Sequence, residues 1–194
     1  KWLLIYSIRR VPSTAPDRLH SQNSKNDLSL LFLTVNAFRG DLEAFADNQA
    51  KVFYIPFRIQ DTLCTFFCPH AKSNYKFYGK VDGKLPQSIQ NITDRERLRC
   101  FYHFLMPTFY RHIKVDAIVS HNFRYWRDID WGEQSELVGV RYLVLYRESF
   151  LIEQGAYDAA LMRHETMPPF RGSLALVHNE VVAKMLTQSR FTRP

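Results

Sequence analysis

Apolar and polar positions in this chain fall into short blocks. Residues 2–8 (WLLIYSI), 28–35 (LSLLFLTV), 51–57 (KVFYIPF), 115–120 (VDAIVS), 140–146 (VRYLVLY) and 173–177 (SLALV) are apolar runs of strand length, rich in β-branched and aromatic side chains. Longer segments with helical spacing lie between them. Asp41 reads as the N-cap of a helix reaching about Gln49. Thr93 and Glu96 have capping-box spacing and open a helix to about His112. Its apolar face carries Leu98, Phe101, Tyr102, Leu105, Phe109 and His112, and Pro107 is expected to kink or split it. A short helix over 131–138 stops at Gly139. Further helices are expected over 154–164, broken by Pro168-Pro169, and over 181–189.

The alternation of strand and helix predicts one α/β domain over residues 1–194, with a mostly parallel sheet covered by helices on both faces. Residues 12–27 read as a polar loop. Residues 58–90 have no clear period and read as an irregular basic and aromatic insertion, a ligand-facing loop or a surface excursion.

Three expected strands end in polar clusters. They are Ser120-His121-Asn122 with Arg124, then Arg147-Glu148-Ser149, then His178-Asn179-Glu180. Open α/β sheets bind ligands beyond the carboxyl ends of their strands, so parallel strands would bring these clusters to one rim. Such a set suits group transfer to a hydroxyl. Glu148 or His121 would take the proton, Arg147 and Arg124 would neutralise an anion, and Asn122, His178, Asn179 and Glu180 would orient the substrate. Each residue also has a plainer reading. Asn179 and Glu180 can cap the helix that follows, Arg147 and Glu148 can be a surface pair, and either histidine can be a hydrogen-bonded structural group.

Composition narrows the function classes. The 194 residues are 46% hydrophobic and 23% charged, which excludes a disordered chain. Net charge is +7, which suits phosphorylated ligands or an anionic membrane surface. The charge is scattered without a basic run, so specific nucleic-acid binding is not expected. Three cysteines make no disulfide framework and favour a reducing compartment. Cys64, Cys68 and His70 are an incomplete zinc set, and Asp128 and Asp130 read as the opening of a helix, so no metal is assigned. No apolar stretch reaches the ~20 residues of a membrane-spanning helix. Dinucleotide, P-loop and nucleophile-elbow signatures are absent.

The passages VDAIVSHNFRY (115–125), GVRYLVLYRES (139–149) and FRGSLALVHNE (170–180), followed by Lys184, resemble the N-terminal Rossmann-like half of GT-B-fold glycosyltransferases. The likeness is nearest to bacterial surface and capsular polysaccharide biosynthesis proteins and covers roughly residues 93 to 194. It implies an acceptor-side domain completed by a C-terminal donor-binding domain. It implies a nucleotide-sugar as substrate, no tightly bound cofactor, and a saccharide or lipid-linked acceptor. It places the protein in the cytoplasm, peripheral to the inner membrane, with His121, Asn122, Arg124, Arg147 and Glu148 at the interdomain cleft. A non-catalytic α/β module binding carbohydrate or protein, a nucleotide-handling hydrolase and a basic nucleic-acid binder are the other readings.

Overall fold

The computed structural model describes residues 7–12, 28–33, 35–38, 40–47, 50–69, 89–122, 126–146, 154–165 and 169–192. Among these residues six strands form one sheet. They are β1 (Arg9–Arg10), β2 (Ser29–Phe32), β3 (Lys51–Tyr54), β4 (Ala117–Ser120), β5 (Arg141–Tyr146) and β6 (Leu174–Val177), in the spatial order β1-β3-β2-β4-β5-β6. Only β1 is antiparallel, pairing with β3; the other four pairings are parallel. The chain steps from β2 to β3 on one side, then crosses back to place β4 on the other. The sheet is therefore doubly wound, with its direction reversing between β2 and β4.

Among the described residues six helices accompany the strands: α1 (Asp41–Asp47), α2 (Phe57–Phe67), α3 (Ile89–His112), α4 (Trp126–Glu136), α5 (Gln154–Glu165) and α6 (Glu180–Gln188), with a 3-10 turn at Val35–Phe38. Right-handed crossovers put α1 on one face and the helices of the β3–β4 and β4–β5 crossovers on the other. The core divides accordingly. Leu31, Ile118, Tyr142 and Val144 pack against Cys64 of α2, Leu98, Tyr102 and Phe109 of α3, and Trp131 of α4. Leu30, Phe32, Val52 and Val119 pack against Phe38, Leu42 and Ala46 on the opposite face. β2 and β4 are buried along their whole length, as central parallel strands are when both faces are covered.

The second face is incompletely covered. β5 and β6 bring Leu143 beside Leu174 and Leu145 beside Leu176. Leu174 and Leu176 keep 46% and 51% of their surface exposed, because α6 buries Val182, Met185 and Leu186 in the first core instead of crossing to this side.

Several expectations change. Residues 58–67 are not irregular: α2 occupies them, with Gln60 and Cys64 facing the core. Pro56 opens that helix in extended geometry, since its fixed φ suits a helix start and it lacks only an N–H the helix does not use. Thr93 is not an N-cap, because α3 begins at Ile89. Pro107 does not split α3; it sits on the exposed side and removes only one N–H donor. His112 is exposed, its ring donating from Nδ1 to the Thr108 carbonyl at 2.8 Å. The helix expected over 131–138 starts earlier, at Trp126. Most of the first expected strand lies outside the described residues, and the strand there is Arg9–Arg10. Gly139 takes the left-handed stop the sequence implied, at φ 83°.

Candidate functional site

The carboxyl ends of β2, β4, β5 and β6 share one rim because the strands are parallel. At the β4 end, Ser120 is fully buried and donates to Asp128 Oδ2 at 2.7 Å while accepting from the Asn122 backbone N–H at 3.2 Å. Asp128, in the first turn of α4, thereby ties down the turn that carries His121 and Asn122. Asn122 is itself fully buried and faces the protein interior rather than an opening. His121 is half-buried and stands edge-on to Phe38, with ring centroids 6.2 Å apart.

Phe38 forms part of the wall of a cleft of about 410 Å³. On one side stand Phe38, Asp41, Ala44 and Phe45; on the other, Leu145 and Tyr146 end β5, Leu176 and Val177 end β6, and His178 follows it. Positions 41, 44 and 45 share a helix face by their spacing. Gly40 makes this entry possible: at φ 83° it turns the chain from the 3-10 segment into α1. The lining is chiefly apolar, with Asp41 and His178 among its polar groups. Its volume falls within the range of small-ligand clefts, and it lies beside the carboxyl ends of β5 and β6.

Beyond His178, the Asn179 backbone is extended and its Oδ1 accepts the Val182 N–H at 3.0 Å. Asn179 is therefore the N-cap of α6, and Glu180 sits exposed in its first turn, where the helix dipole favours a carboxylate. Replacing Asn179 by Ala should cost about 1 kcal/mol of unfolding free energy, and Asn179→Asp should retain most of it, read from denaturant midpoints. Equal stability of the Ala variant and the native chain would remove the capping role.

The rim thus collects His178, Asn179 and Glu180 from one expected cluster and His121 and Asn122 from another. His178 lines the cleft, and His121 reaches it only through the Phe38 ring. Arg124, Arg147 and Glu148 lie outside the described residues. Phe38, Asp41, Ala44 and Phe45 were missed by sequence reasoning. Their signal was the Gly40-Asp41 helix start after a central strand, readable as a site only once β2 is known to neighbour β4.

Of the side chains that could suggest a metal, Asp128, Asp130 and Cys68 are engaged within the protein, and His70 lies outside the described residues. Asp128 holds Ser120, and Asp130 is clamped by Arg95 through two hydrogen bonds of 2.9 Å. Cys68 is a buried thiol pushed up to about 12 by burial, donating to the Asp94 carbonyl at 3.5 Å, and so stays protonated at neutral pH. Among the described residues no group of three or more His, Cys, Asp or Glu could hold a metal ion. No helix among them is long and apolar enough to cross a membrane.

These features define a doubly wound α/β domain with an apolar cleft at the carboxyl rim of its sheet. No family model matches the sequence, and neither a curated protein nor a solved structure matches it.

Proposed function

We propose that this chain is the N-terminal, acceptor-side half of a GT-B-type glycosyltransferase that adds a sugar from a nucleotide-sugar to a surface polysaccharide or glycolipid. The observation that carries this reading is the shared rim. His178, just after β6, lines the Phe38-walled cleft, and His121, just after β4, packs edge-on against Phe38; both lie within passages of glycosyltransferase likeness. An acceptor sugar would lay its C–H face on the apolar wall and turn hydroxyls toward Asp41 and His178. Glu148 would remove the proton from the attacking hydroxyl, while His121, packed against Phe38, would brace the cleft wall. Arg124, Arg147 and the donor-binding domain expected after residue 194 would offset the charge of the departing nucleoside diphosphate. The reaction would run in the cytoplasm beside the inner membrane.

The test uses a polypeptide carrying both domains. Nucleoside diphosphate should be released from a nucleotide-sugar only when an oligosaccharide acceptor is present. Ala44→Trp, which fills the cleft from an exposed helix position, should raise the acceptor KM about tenfold or more and leave the donor KM unchanged. Absence of release with every donor would sink the transferase reading. Oligosaccharide binding without turnover would instead identify a carbohydrate-binding module, the alternative favoured by a cleft whose one carboxylate among the described residues is Asp41.

A further inference from the structure

We propose that β6 is a dimerisation edge, at which two copies of this chain join their sheets by antiparallel pairing of β6 with β6. The two edges of the sheet differ. β1 ends it on one side with the exposed Arg9 and Arg10, the kind of short, charged strand that discourages further pairing. β6 ends it on the other side with Leu174, Ala175, Leu176 and Val177, and residues 172–179 hold no Lys, Arg, Asp, Glu or Pro. An uncharged apolar edge is a template for another strand. Its backbone is turned the right way. Ser173 donates its N–H to the Tyr142 carbonyl of β5 at 2.9 Å. Backbone groups alternate in direction along a strand, so those of Leu174 and Leu176 point away from β5.

A second copy suits this edge by symmetry. A two-fold axis beside Ala175 sets Leu174 of each copy opposite Leu176 of the other, and their outward N–H and C=O groups then satisfy one another in both directions. The register also matches faces. Leu174 and Leu176 lie with Leu143 and Leu145 on the half-covered face of the sheet, so the leucines of the second copy continue that apolar patch. Ala175 meets its own counterpart, where a small side chain lets the strands close. Charge agrees with the direction of pairing. Exposed Arg171 stands three residues before β6 and exposed Glu180 three residues after it. Antiparallel pairing brings the basic end of each strand to the acidic end of its partner, whereas parallel pairing would oppose like charges. Leu176 lines the cleft, so Leu174 of the second copy would extend the cleft wall. This inference stands without the transferase reading.

Sedimentation velocity of the 194-residue chain in reducing buffer tests it. Between about 1 and about 100 µM the chain should pass from monomer to dimer and stop there, as expected of an interface at the small end of the specific range. Leu174→Lys, which charges an already exposed position, should weaken association about tenfold or more, with an unchanged thermal midpoint at about 1 µM. Cross-linking reads the register, in a Cys100→Ser background that removes the exposed thiol. Ala175→Cys should form an intermolecular disulfide with oxidised glutathione, because its counterpart stands about 4.5 Å away between α-carbons. Leu174→Cys, whose own counterpart lies two residues further along, should cross-link at least about tenfold less. A chain that stays monomeric at about 100 µM overturns the proposal and leaves the edge to a strand of another protein. Association that grows past the dimer, survives Leu174→Lys or gives no cross-link through Ala175→Cys overturns it equally.

Discussion

Arg95→Ala should lower the unfolding free energy by about 3 kcal/mol at neutral pH, seen as a reduced denaturant midpoint with an unchanged slope. The carboxylate it leaves behind is Asp130, which has no exposed side-chain surface and receives two hydrogen bonds from the Arg95 guanidinium. Removing one partner of a buried pair typically costs about 3–5 kcal/mol, because the other charge stays desolvated. The low end applies because Arg95 keeps 28% exposure and Arg99 stays 3.7 Å from Asp130. Burial lifts the Asp130 pKa above the usual carboxylate value, and the hydrogen bonds and charge of Arg95, with the charge of Arg99, oppose it. Losing Arg95 removes most of that opposition, so the folded-state value rises further. A carboxyl titrating higher when folded than when unfolded costs stability at high pH. That cost disappears as pH falls through the folded value toward the unfolded one of about 4. The deficit of Arg95→Ala relative to the native chain should therefore narrow on acidification from pH 7. A deficit independent of pH would show that Arg95 acts by packing alone.

Gly132→Ala should be destabilising by about 2–3 kcal/mol, although Ala in place of Gly within a helix ordinarily gains up to about 1 kcal/mol. Gly132 lies inside α4 where the helix rests on β5, and a Cβ there would overlap the Tyr142 ring at Cγ, Cδ1 and Cε1. Tyr142 is fully buried, and Cγ is the root of its ring, so rotation of the side chain's far end gives no relief. Shortening the partner should rescue the variant. In a cycle with Tyr142→Val, the Gly132→Ala substitution should become neutral or favourable, giving a coupling of more than about 1 kcal/mol. Additive effects would mean that α4 shifts away from the sheet at little cost, and the close approach would not constrain the fold.

Both predictions concern the contact of α4 with its neighbours, and the site depends on the same contact. Asp128 and Asp130 sit two residues apart on α4 and so point in different directions. One holds Ser120 and the turn bearing His121; the other anchors α4 to α3 through Arg95. An aspartate pair that in sequence suggests a metal motif is in the fold a pair of struts beneath the candidate site.

The sequence alone determined the class of fold and much of its element order. The run at 140–146, Gly139 as a left-handed stop and the Asn179-Glu180 helix start are local in origin, set by side-chain period, backbone freedom and capping. The convergence of strand ends also followed, because parallel strands joined by helices share one carboxyl rim. Local signals failed where a helix lacked its usual marks. In α2 the polar Gln60 and Thr62 interrupt the aromatics, and Gln60 faces inward only because its amide reaches the Leu33 carbonyl across the fold. Tertiary structure alone decided which strands are neighbours. Placing β2 beside β4 sets Phe38 against His121, and packing α6 into the first core leaves Leu145 and Leu176 to form the cleft wall with Ala44 and Phe45. The physical reason is that strand order and helix placement rest on burial between segments far apart in sequence, a property of pairs of surfaces that no single stretch of residues encodes.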